Sequence, residues 1–190
     1  MKAEKKSQEI ELLDAAIKLE FDQFDKSTLN GAAAAALAGE HYGVSSFHGF
    51  SIDTIDPDEK RFWELSCDVE LGTLIKLQEY LGERGYSLPS SQVFRDLGNR
   101  TVKVFRGEPH HDYCRWVAPQ IAAALLDFGL LRDMLQSTAF GVEMYDHEAA
   151  FAEAWEILPL GFKKASYPLE AHLQRYGQEY LSGRVKFELS

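Results

Sequence analysis

Residues Cys114 to Leu135 form the most strongly apolar stretch of the chain, and a polar cluster, Arg106-Gly107-Glu108-Pro109-His110-His111-Asp112-Tyr113, runs straight into it. Cys114, Val117, Ile121, Leu125, Phe128, Leu131 and Leu135 share one helical face, which Leu126, Leu130 and Met134 widen. So apolar a helix belongs at the centre of a core or in an interface between subunits. Pro119 has no amide hydrogen, so the regular helix is expected either to begin there or to be kinked. The unbroken apolar run within this stretch, Ile121 to Leu126, is about a third of what a bilayer span needs. Asp127 and Arg132-Asp133 interrupt its continuation, so no membrane association is expected.

A chain of 190 residues, 45% of them hydrophobic, has enough apolar material for one enclosed core. We expect a single domain over residues 1–190, with a helical N-terminal segment, 7–43, packed on it. Thirty acidic residues against twenty Lys and Arg give a net charge of −10, which repels phosphate backbones and anionic membranes. Nucleic acid is therefore not an expected partner. Cys67 and Cys114 are too few for a disulfide framework, and the basic start of the chain leads into an acidic amphipathic segment rather than a secretory apolar stretch. Both features point to a reducing cytoplasm.

The element pattern predicts an α+β fold: a helix-dominated domain with a small, mainly antiparallel sheet of about four strands packed against a central long apolar helix. Ile10, Leu13, Ile17, Phe21 and Phe24 recur at helical spacing, predicting a first helix over 7–26. Ala32 to Ala38 predicts a short, closely packed helix ended by Gly39 or Gly43. Phe47 to Ile52 reads as a strand from its aromatic and β-branched character, with Asp56-Pro57-Asp58 as a turn. Trp63, Leu65, Cys67 and Val69 alternate with polar residues, predicting a second strand. Leu71 to Leu81 and Ser91 to Leu97 read as helices, Gly98-Asn99 as a turn, and Arg100 to Arg106 as a third strand. Asp146 is expected to cap a helix carrying Phe151, Trp155 and Leu158; another helix opens at Pro168, with His172 as a packing residue. The alternating tail, Val185, Phe187 and Leu189, completes the sheet.

Among chemically suggestive residues, His110-His111-Asp112 could act with Arg106 as a catalytic group. Alternatively, His48, His111, Asp112 and Asp146 could hold a divalent metal that would lower the pKa of bound water. His41, Asp127 and Asp133 are further possible ligands. The competing reading is that Pro109 opens a helix whose solvated first turn contains these residues, with Asp112 favoured there by the helix dipole. Arg106 and His111 also resemble, in spacing, the Arg and His pair of the all-helical HEPN ribonucleases; that resemblance implies an RNA phosphate held by the arginine and a proton moved by the histidine. The expected strand at Arg106, the sheet and the acidic balance depart from that family. No glycine-rich phosphate loop, nucleotide fingerprint or serine elbow occurs in the sequence.

With no catalytic set standing above its structural explanation, the expected function is protein binding. An immunity or antitoxin-like inhibitor, or an accessory subunit, would present an acidic surface to a basic partner without a cofactor. Asp53, Asp56, Asp58 and Glu59, extended by Glu64, Asp68 and Glu70, are the expected surface, with Phe47 and Phe50 as anchors. The alternatives are a metal-dependent phosphohydrolase or nuclease built on His110, His111 and Asp112, and a structural oligomer joined through Trp116 to Leu135.

Overall fold

The computed structural model describes residues 2–86, 89–135 and 138–161, and among these residues it contains six α-helices and no strand. They are α1 (Lys2–Phe21), α2 (Leu29–Asp53), α3 (Pro57–Gly82), α4 (Ser91–Phe105), α5 (His110–Met134) and α6 (Ala139–Gly161). The α+β expectation is overturned. Of the four expected strands, Phe47 to Ile52 lies within α2, Trp63 to Val69 within α3, and Arg100 to Phe105 within α4. The fourth, Val185 to Leu189, lies outside the described residues, as do the helix expected from Pro168 and His172 within it.

Each misreading has a physical cause. In α3 the alternation of Trp63, Leu65, Cys67 and Val69 concealed a helix enclosed on several sides, because Ser66, Glu70 and Thr73 are buried too. Polar residues expected to face solvent across a strand instead face neighbouring helices. The expected turn at Asp56-Pro57-Asp58 is the start of this helix. Asp56 Oδ1 accepts from the amides of Asp58 and Glu59, both at 3.0 Å, and Pro57 occupies the first helical position, where its missing amide hydrogen costs nothing.

The turn expected at Gly98-Asn99 and the helix end expected at Gly39 or Gly43 both fall inside helices, and at Gly98 and Gly43 a neighbouring element approaches closely. A Cβ on Gly98 would stand 2.7 Å from the carbonyl oxygen of Tyr42 and 2.8 Å from Ser45 Cβ. Glycine there lets α4 pass against the backbone of α2, and Phe94, Leu97, Thr101, Val102 and Phe105 continue one buried stripe through it. Gly39 and Gly43 likewise lie inside α2, which continues to Asp53, and Thr28 caps its start by accepting from the Gly31 amide at 3.1 Å. Asp146, expected as a cap, is seven residues inside α6.

The most enclosed helix is α2, which packs against α3, α4 and α5; α1 lies on α4, and α5 pairs with α6. The central helix is thus the alanine-rich one rather than Trp116 to Leu135. Small side chains at Ala32, Ala33, Ala35, Ala36 and Ala38 let three neighbours come near its axis. α5 runs through Pro119 and buries Tyr113, Cys114, Val117, Phe128, Leu131 and Leu135, while Leu126 and Leu130 remain exposed. Among the described residues, its Asp112–Met134 portion is the one stretch long and apolar enough to cross a membrane.

Candidate functional site

Half of α2 supplies one wall of a cavity of about 230 Å³. Gly39, Glu40, Gly43 and Phe47 recur at helical spacing and face it together; Ile17 and Phe21 of α1 and Val117, Ile121 and Ala124 of α5 enclose it with hydrocarbon. Into one side of this apolar space come carboxyl groups from three helices: Glu40 of α2, Glu70 of α3 and Glu148 of α6. All three are buried, with 2%, 7% and 4% of their surface exposed, where unpaired acids are almost never found.

How the fold accommodates them is visible atom by atom. Glu70 lies over Gly43, where a Cβ would stand 2.7 Å from its Cδ, so only glycine leaves room for the carboxyl group. Glu148 Oε1 accepts from the Thr73 hydroxyl at 3.0 Å, and His147 Nδ1 lies 3.2 Å from the same hydroxyl oxygen. A hydroxyl has one proton and two lone pairs. Thr73 giving its proton to Glu148 and accepting the Nδ1–H of His147 satisfies all three groups.

Glu40 and Glu70 hydrogen-bond to each other. Burial, then the neighbouring Glu70 and Glu148, holds the Glu40 carboxyl well above the usual carboxylate range. Burial and Glu148 raise Glu70 as well, against the opposite pull of its hydrogen bond from Glu40. The pair therefore holds a proton, which Glu40 donates to Glu70. The second oxygen of Glu40, Oε2, is buried and has no hydrogen-bond partner.

Tyr42, Lys26 and Asp127, which also line the cavity, are already engaged. The Tyr42 hydroxyl is 2.9 Å from Thr101 Oγ1, which in turn donates to the Leu97 carbonyl at 3.0 Å, so Tyr42 is the donor between them. Lys26 Nζ binds Asp127 at 2.6 Å from Oδ1 and 2.8 Å from Oδ2.

The residues singled out in the sequence are dispersed. His110 opens α5 and its ring sits against Phe50 and Trp63, accepting the indole N–H of Trp63 on Nδ1 at 2.9 Å, with Glu59 Oε2 3.0 Å from the same nitrogen. Thr54 Oγ1 lies 3.4 Å from Nε2. Burial lowers the His110 pKa despite Glu59 and Asp56, which fits a neutral ring accepting at Nδ1. Arg106 follows α4 and binds Asp53 through Nε at 2.8 Å and a terminal nitrogen at 2.7 Å. Among the described residues there is neither the strand nor the sheet that set this chain apart from the HEPN pattern. Its acidic setting remains, since the guanidinium is held by a carboxylate.

Asp112 is exposed in the first turn of α5, Asp146 is exposed on α6, and His48 is half-buried on α2. Among the described residues, which exclude the His111 side chain, no three His, Cys, Asp or Glu side chains converge as a metal ligand set. Phe47 and Phe50, expected as surface anchors, are each 2% exposed and belong to an aromatic core with Trp63, Tyr113 and Trp155. Asp53 is tied to Arg106, Asp56 caps α3, and Glu70 is internal.

Comparison with family models, curated proteins and solved structures finds no match.

The carboxyl cluster escaped the sequence reading, although a signal was present. Glu40 is the single charged residue between Gly31 and Ile52, and Glu148 precedes Ala149-Ala150-Phe151-Ala152. An acid set in an apolar helical stretch is either a partnered internal group or a ligand-facing one.

Proposed function

We propose that this protein is a small-molecule-binding helical domain whose ligand occupies the cavity between α1, α2 and α5. The observation that carries this reading is the pairing of hydrocarbon walls with one polar corner, in which Glu40 Oε2 is buried without a partner. Ligand sites combine mostly apolar lining with a few placed polar groups in this way, and a buried acceptor left unsatisfied costs stability that an occupant's donor would restore. Ala124 lines the cavity from α5, which carries none of the three glutamates, so Ala124→Phe fills the space with an aromatic ring. A thermal-shift screen of small organic compounds should find some that raise the melting temperature of the wild type but not of Ala124→Phe. If no compound discriminates between the two proteins, the cavity is packing space alone.

A second reading, docking of a basic partner protein on the acidic stretch around Asp53 to Glu59, is favoured by Ile55, which is 97% exposed, and Ile52, 66% exposed. Large aliphatic side chains so open to water, flanked by Asp53, Asp56 and Asp58, combine an apolar contact with charge complementarity. Replacing Ile52 and Ile55 with Ser should weaken capture of such a partner, and neutralising Asp56 and Asp58 should slow association and flatten its salt dependence. Unchanged kinetics in both variants would remove this reading.

A further inference from the structure

Resting on the cavity reading, we infer that the occupant is an organic amine: a protonated nitrogen seated on Glu40 and Glu70, with an apolar body of about nine heavy atoms along Phe21, Phe47 and Ile121. The size follows from volume, since a dry cavity of about 150 Å³ takes a benzene ring and this one is about half as large again.

The charge follows from which groups are still available. Four acids line the space, Glu40, Glu70, Asp127 and Glu148, against one cation, Lys26. That cation is bound to Asp127, and the Tyr42 hydroxyl donates to Thr101, so neither is available to an anionic ligand. The unsatisfied atom is an acceptor, Glu40 Oε2, buried on a residue that lines the cavity together with Glu70. An ammonium group supplies three donors and a positive charge, while a neutral alcohol supplies one donor and no charge.

A divalent metal fits less well. Carboxylate metal sites inside helical bundles draw Glu-x-x-His pairs from two of their helices, so that imidazole and carboxylate meet at one ion. Here the residues three positions after Glu40, Glu70 and Glu148 are Gly43, Thr73 and Phe151. The nearby imidazole of His147 faces the Thr73 hydroxyl.

The test is isothermal titration at neutral pH with three probes of one shape, phenethylamine, 2-phenylethanol and phenylacetate, and with Mn²⁺ as a separate arm. Wild-type protein should bind phenethylamine about tenfold or more tighter than 2-phenylethanol, the ratio expected of a charge-assisted hydrogen bond, and should not bind phenylacetate. In Glu40→Gln and, separately, Glu70→Gln, whose folding is checked by circular dichroism, that preference should shrink to a few-fold. Ala124→Phe should abolish both interactions. Equal binding of amine and alcohol by the wild type, lost in Ala124→Phe, would overturn the amine and leave the cavity reading intact. Failure of all three organic probes would overturn the amine, and together with a screen in which nothing discriminates Ala124→Phe it would overturn the cavity reading too. Stoichiometric Mn²⁺ binding lost in both Gln variants would replace the amine with a metal.

Discussion

Glu70 places its carboxyl group directly over the bare backbone of Gly43, one turn of α2 beyond Glu40. Adding a methyl group at 43 would force that carboxyl out of position, because the atoms would overlap at 2.7 Å. Gly43→Ala should therefore destabilise the fold by about 1 kcal/mol, the overpacking against Glu70 being partly offset by alanine's better helix propensity. In Glu70→Ala the obstruction is gone, and the same substitution should cost much less. A denaturant double-mutant cycle measures the difference, and strict additivity would show that the two residues do not meet.

The acid pair fixes how stability changes with pH. Glu40 and Glu70 are both raised above the ordinary carboxylate value by burial, so the folded chain retains protons that the unfolded chain releases. Stability from this source is full below the unfolded value and is lost as pH rises through the folded one. Glu40→Gln, which cannot ionise, should be more stable than wild type near neutral pH and should lose that advantage as the solution is acidified. An advantage independent of pH, or largest in acid, would contradict a shared proton.

His110 acts in the opposite direction. Its pKa is lowered, mainly by burial, so folding favours the neutral ring, and the contribution present above the ordinary histidine range is lost as pH falls through it. Protonation at Nδ1 also takes away the acceptor of the Trp63 indole and turns that nitrogen toward Glu59. The emission of Trp63, isolated by difference from a Trp63→Phe variant, should shift on mild acidification before the protein unfolds. His110→Phe should remove the shift and cost about 1–3 kcal/mol for the indole donor left without its partner. A Trp63 spectrum insensitive to pH until global unfolding would refute the coupling.

Lys26 and Asp127 join the connection after α1 to α5, the aspartate side chain being 10% exposed and the lysine 38%. Lys26→Met leaves the more buried charge alone and should cost about 1–3 kcal/mol, less than for a fully enclosed pair because water reaches the lysine. Lys26→Met with Asp127→Leu should recover most of the loss. Thermal denaturation of the three variants decides it; a double variant no better than the single one would mean that packing, not charge, governs the site.

The helical character of α1 and α5 was legible because their apolar residues recur at three and four positions without interruption. α4 carries the same recurrence from Phe94 to Phe105, yet the Gly98-Asn99 dipeptide has the chemistry of a turn, and only the nearness of Tyr42 and Ser45 shows why glycine is there. α3 was hidden by its buried Ser66, Glu70 and Thr73, since periodicity arguments take polar residues to face water. The candidate site fared worst, as Glu40, Glu70 and Glu148 are distant in sequence and meet only when α2, α3 and α6 pack. Phe47 and Phe50 read as strand residues for a related reason: aromatic content sets a β preference that stacking with Trp63 and Trp155 overrides.

At Gly98 the main chains of α2 and α4 touch with nothing flexible between them, whereas side chains alone form the α5 wall. Whatever enters the interior meets one unyielding surface and one compliant one. In the cavity reading, exchange with solvent would fall to the α5 side, where Ala123 and Leu126 are exposed.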